Sequence, residues 1–150
     1  MKPFWLRSLG VAAFFLAATD TTQGTTVNLE ATVLYTTLSD CTSKTTGKQV
    51  LVTAVINNGC STSNACTETP SGSSLFPDIT CPTTDGTASG TFIQTDLPTL
   101  FGSNPYVVVE KYSSACAAPG DITSITAYLA DGKCHKTDTA KSYRATRKAD

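Results

Sequence analysis

The chain has 150 residues, 11 basic and 12 acidic side chains and a formal net charge of −1; only 15% of its residues are charged. Threonine (27) and serine (14) make up about a quarter of it, which excludes a coiled coil or helical bundle, both of which need Ala, Glu, Lys and Leu in bulk. Without an N-terminal leader about 130 residues remain, the size of one domain rather than two.

Residues 1 to 18 read as a secretory signal: Lys2 and Arg7 precede the apolar stretch Leu9 to Ala18, and small residues follow it, so cleavage is expected between 18 and 24. That stretch is half the length a bilayer crossing takes, and no later segment is apolar enough to cross. The expectation is a single secreted domain over 19–150.

Strand character begins at 27–38 (VNLEATVLYTTL) and returns at 49–57 (QVLVTAVIN), where the nearly continuous apolar run predicts burial on both faces. Thr46-Gly47 breaks the two apart. Residues 61–104 hold four of the seven prolines and many Ser, Thr and Gly; they read as long loops, with Thr87 to Thr95 (TASGTFIQT) as an added edge strand. Strand character resumes at 105–112 and 122–130, separated by Pro119-Gly120-Asp121, and Ser142 to Arg147 reads as a last strand with Tyr143 and Ala145 on one face.

A repeat lies within this order. Val52-Thr53-Ala54-Val55-Ile56 aligns with Ile125-Thr126-Ala127-Tyr128-Leu129; each run leads to Asn58-Gly59 or Asp131-Gly132 and then to a cysteine. Two similar β-meander units, about 27–64 and 105–147, are therefore expected, each with a tight turn at its Asn-Gly or Asp-Gly and a third strand after it. The fold class predicted is all-β: a disulfide-stabilised antiparallel sandwich or Greek-key-like domain.

Cys41, Cys60, Cys66, Cys81, Cys116 and Cys134 all follow the signal, and six cysteines in an oxidising compartment read as three disulfides. If the first two strands form a hairpin, Cys41 lies beside its loop and Cys60 about nine residues away, or ~30 Å. Bridged cysteines need Cα atoms within about 7 Å, so Cys41–Cys60 and the equivalent Cys116–Cys134 are disfavoured, and bonds between the copies or to Cys66 and Cys81 are preferred.

Catalytic signals are sparse. His135 is the only histidine, beside Cys134, and reads as solvent-exposed; no C-x-x-C pair, phosphate-binding loop or calcium loop occurs. The sequence assigns no catalytic residue, cofactor or metal. A carboxylate pair of the glycosidase type would draw on Asp40, Asp85, Asp96, Glu110 and Asp131, most of which sit where turns favour Asp anyway. Residues 133–150 carry a net charge of +4 against −7 for residues 20–132, and the basic end reads as a solvated tail. Among the tyrosines, Tyr35 and Tyr112, near strand ends, are the surface binding candidates, while Tyr128 reads as core.

The leader, the six cysteines and the Thr-rich strands together resemble the small secreted cysteine-rich proteins of filamentous microbial eukaryotes. The resemblance implies action by binding, as an effector, adhesin, wall component or inhibitor. The expected function is thus a non-catalytic, monomeric extracellular protein that recognises a host or cell-wall protein or a polysaccharide, and not nucleic acid. A small secreted carboxylate-dependent hydrolase acting on polysaccharide and a structural cell-surface module are the alternatives.

Overall fold

A computed structural model describes residues 27–63, 66–84, 88–113 and 122–147. The signal at 1–18, Asp85, Cys116 and the Pro119-Gly120-Asp121 loop lie outside the described residues.

Five strands form the body of an antiparallel sheet in the order β3-β1-β2-β6-β5: β1 (Val27–Tyr35), β2 (Gln49–Ile56), β3 (Phe76–Thr80), β5 (Tyr106–Tyr112) and β6 (Ile122–Leu129). A two-residue strand, β4 (Thr83–Thr84), pairs with the start of β1. A separate hairpin consists of β7 (Asp131–Lys136) and β8 (Ser142–Thr146). The chain is therefore an all-β, disulfide-stabilised antiparallel domain. Among the described residues no helix is long and apolar enough to cross a membrane.

Alternation sorts the strands into two faces. Leu29, Ala31, Val33 and Tyr35 of β1 share one face with Val52, Ala54, Ile125 and Ala127, and all eight are buried. Against this face packs the helical stretch of α2 (Ala88–Thr91), a π-helical turn (Phe92–Asp96) and α3 (Leu97–Phe101), with Phe92, Leu97 and Phe101 in the core and the Phe101 ring stacked on Tyr106 at 4.7 Å. The edge strand expected at 87–95 is thus helical from Ala88 on, Thr87 lying outside the described residues. Its apolar residues fall at Phe92, Leu97 and Phe101; an α-helix would set Phe92 and Leu97 about 140° apart, and a wider i→i+5 turn returns both to the sheet. Pro98, in the first turn of α3, has no N–H to donate to the π-helical turn before it.

The two hairpins, β1–β2 and β5–β6, join through β2 and β6 with Thr53 opposite Thr126. These are equivalent positions of the aligned runs, so the register has a local two-fold axis normal to the sheet. Each hairpin also shifts register at the matching place, between Leu34 and Tyr35 and between Lys111 and Tyr112. A third strand follows only the second copy, as β7, and it pairs with β8 rather than with the sheet. Beyond Asn58-Gly59, a turn closed by Cys60 N–H to the Asn57 carbonyl at 3.1 Å, the chain leaves the sheet; beyond β6, Asp131-Gly132 lies inside β7 rather than in a tight turn. The position beside β2 is taken by β6, so a returning strand has no edge there to pair with.

Cys41 is buried on α1 (Leu38–Ser43), a single turn capped by Thr37, whose hydroxyl accepts Asp40 N–H at 3.1 Å. Two disulfides, Cys41–Cys66 and Cys60–Cys81, each with Cα atoms 5.8 Å apart, tie the segment after β2 to α1 and to the end of β3. One uses Cys66 and the other Cys81, the partners that hairpin geometry favours. Neither joins the two copies. Cys134 carries an exposed, unbonded thiol, which departs from the expectation that all six cysteines are bridged.

Candidate functional site

The basic end of the chain, expected as a solvated tail, is the hairpin β7–β8 through Thr146. Asp138 organises its turn by accepting Ala140 N–H at 2.6 Å and Lys141 N–H at 2.7 Å, bonds that hold its carboxyl below the usual range. A bulge between Asp131 and Cys134, with Gly132 at φ +78°, inserts one extra residue into β7. Glycine is the residue that adopts this conformation without cost. Folded over the bulge, the Asp131 carboxylate accepts Lys133 N–H at 2.9 Å and meets His135 Nε2 at 2.7 Å. Partial burial works against its charge, but the His135 and Lys133 bonds outweigh that and pull its pKa down.

Tyr143 fixes the hairpin on the open face of the sheet. Its hydroxyl donates to the Val50 carbonyl, its ring meets Tyr128 edge-on at 4.8 Å, and the His135 ring lies 5.4 Å away. Burial pushes the phenol's pKa up. Ala145 faces the same way, as its position two residues on requires. The sequence does reveal this strand and its inner face.

Between hairpin and sheet lies a polar cavity of about 330 Å³ lined by Lys48, Lys133, His135 and Asp131. Its frame depends on Gly47, at φ +78°: a Cβ there would come within 2.9 Å of Asn104 Nδ2, which donates to the Gly47 carbonyl at 2.6 Å. Lys136 and Arg144 are exposed on the hairpin's other side, around the Cys134–Arg144 pair. Cys134 and His135, though adjacent in sequence, therefore point to opposite faces, and the strand makes no Cys–His catalytic pair of them. The ring is oriented by a carboxylate and flanked by cations, an arrangement that binds and orients.

The remaining expected residues fall elsewhere. Tyr35 is 1% exposed: it follows Leu29, Ala31 and Val33 on the core face, where its hydroxyl accepts Gln49 Nε2 at 3.3 Å. It is not a surface aromatic. Tyr112 is half-buried against the core and donates to the Glu110 carboxylate. Asp40 serves α1, accepting the Thr37 hydroxyl at 2.6 Å. Asp96 has its carboxyl raised by burial alone, with no neighbouring charge contributing. Asp131 is engaged with His135. These acids stand on separate elements, and among the described residues no group of three or more His, Cys, Asp or Glu could hold a metal.

Sequence reasoning misses Asp78. It is 1% exposed on β3, with one oxygen 3.0 Å from Lys44 Nζ and the other without a hydrogen-bond partner. It also misses the pairing of Asp131 with His135: four residues along a straight strand span ~13 Å, and the bulge that brings the two together has no signal beyond the Asp-Gly pair, which reads as a turn.

No family model, curated protein or solved structure matches the chain.

Proposed function

We propose that the protein works outside the cell as a non-catalytic binding protein and recognises an acidic polysaccharide through the hairpin β7–β8. One observation carries this reading: the cationic end is a folded and anchored element. Residues 131–147 hold five basic and two acidic side chains, whereas residues 20–130 hold three basic and nine acidic. A polyanion is repelled by the body and drawn to one face of the molecule. There Lys136 and Arg144 stand outward, while Lys48, Lys133 and His135 surround the cavity. Cations on both sides of one thin element suit a chain of repeated uronate or sulfate groups. The two disulfides support an oxidising, extracytoplasmic setting.

The test is retention of the mature protein on polygalacturonate beads beside chitin, cellulose and β-glucan, with reducing-sugar release measured in the same tubes. Retention on polygalacturonate alone, reversed by salt and lost in the double variant Lys136→Glu/Arg144→Glu, is expected. Equal retention on the neutral glycans overturns the ligand class. Sugar release abolished by Asp96→Asn or Asp131→Asn replaces binding by hydrolysis.

A second reading, a protein partner, is favoured by β5. Among the described residues it pairs on one side only, and Val107 and Val109 are 43% and 42% exposed on its open face. The opposite edge, β3, is short, carries Pro77 and is bridged by Ser63. An unguarded edge of this kind accepts an added strand.

A further inference from the structure

On the far side of the sheet from the hairpin, a second cavity of about 390 Å³ opens between the helical stretch and the end of β3. Its walls are mainly apolar: Phe92 and Leu100 on one side, Pro82 and the Cys60–Cys81 disulfide on the other. Thr62, Thr80 and Thr99 also line it, and Asp96 is the single charged group among the residues that do. The π-helical turn builds this wall, since Phe92 is its first residue and Asp96 its last. Wide turns of this type are often found at functional sites.

The state of Asp96 sets what the cavity accepts. It stands at the position before α3 where an aspartate ordinarily caps the helix, yet it makes no capping bond, because the backbone is already helical there and the preceding turn supplies the N–H partners. Nearby, the Thr99 hydroxyl is engaged with the Thr95 carbonyl at 2.8 Å and is not turned to the carboxylate. A carboxylate partly withdrawn from water among apolar walls gains most from a cation that brings its own hydrogen-bond donors. Burial, which raises its pKa, works in the same direction by making the unpaired charge costly. The volume lies at the small end of the roughly 300–1,000 Å³ typical of ligand clefts.

We propose that this cavity binds a small organic amine, its ammonium paired with Asp96 and its hydrocarbon body against Phe92 and Leu100. The site is independent of the polysaccharide reading, being built from other elements on the other face of the sheet. An anion is disfavoured by Asp96 itself, and a neutral hydrocarbon leaves the carboxylate without a partner.

The experiment is an NMR titration of the ¹⁵N-labelled mature protein at neutral pH with 2-phenylethylamine and, separately, its uncharged counterpart 2-phenylethanol. Saturable shifts centred on residues 92–100 are expected with the amine, and binding of the alcohol weaker by about tenfold or more. Asp96→Asn should abolish this preference while leaving alcohol binding in place. Leu100→Trp, which fills the cavity and keeps the carboxylate, should abolish both. Equal affinity for amine and alcohol, shifts centred elsewhere, no saturable shift with either compound, or an unchanged preference in Asp96→Asn overturns the proposal.

Discussion

Tyr143 is the residue on which the basic hairpin depends, because it reaches the backbone of β2 and the ring of Tyr128 at once. Tyr143→Phe removes one hydrogen bond and is expected to cost about 1 kcal/mol in urea denaturation. Tyr143→Ala also removes the ring contact and should release residues 131–147 to fast amide exchange while the protection of β2 and β6 persists. Asp78 gives a second prediction. Lys44→Met leaves a buried carboxylate unpaired and should destabilise the domain by roughly 2–3 kcal/mol, with Asp78→Asn/Lys44→Met recovering part of the loss. The two shifted carboxyls that line cavities have opposite pH signatures. Asp131 is depressed in the folded state, so its contribution is present above the ordinary aspartate range and fades as pH falls through its folded value. Asp96 is raised, so its contribution is present at acid pH and is lost as pH rises through its folded value. Asp96→Asn is therefore expected to be at least as stable as the parent at neutral pH, and the advantage should vanish below the ordinary aspartate range. Sequence could not distinguish these acids, since an exposed turn Asp and a desolvated Asp are the same letter until the neighbouring chain segments are in place.

Among the elements, β1, β2, β5 and β6 are legible because β-branched runs bounded by turn residues have few other ways to pack. The helical stretch from Ala88 to Phe101 is not. Thr and Gly lower its helix propensity, and its apolar spacing matches neither the period of a strand nor that of an α-helix; only contact with the sheet decides it. Leu97, fully buried there, should cost roughly 2–5 kcal/mol when replaced by Ala. The disulfides were legible in part, since strand length forbids Cys41–Cys60 while the pairings with Cys66 and Cys81 follow from how the intervening segment folds back. Each closes a loop spanning 25 or 21 residues and limits the unfolded chain by roughly 3 kcal/mol. Replacing Cys60 and Cys81 together by Ser should lower the stability measured by urea melting by about that amount, more than Val107→Thr or Val109→Thr, which alter exposed positions and should stay within about 0.5 kcal/mol.

At the scale of the whole molecule the charge is segregated rather than merely balanced. A net charge of −1 conceals a negative body and a positive hairpin, and the hairpin's attachment through Tyr143 keeps the cations at fixed positions. Sequence displayed the segregation but read it as a tail, because nothing local to residues 133–150 announces that Tyr143 docks on a strand more than ninety residues earlier. A fixed cationic face binds a polyanion with a strong dependence on ionic strength, as screening shortens its reach from ~10 Å at 0.1 M salt to ~3 Å at 1 M. The most direct measurement is a fluorescence titration of the mature protein with polygalacturonate at about 50 mM and about 300 mM sodium chloride, alongside Lys136→Glu/Arg144→Glu. Affinity should fall at least about tenfold between the two salts, and the charge-reversed variant should fail to bind at either. Binding unaffected by both salt and charge reversal, or no binding by the parent protein at low salt, would contradict the account.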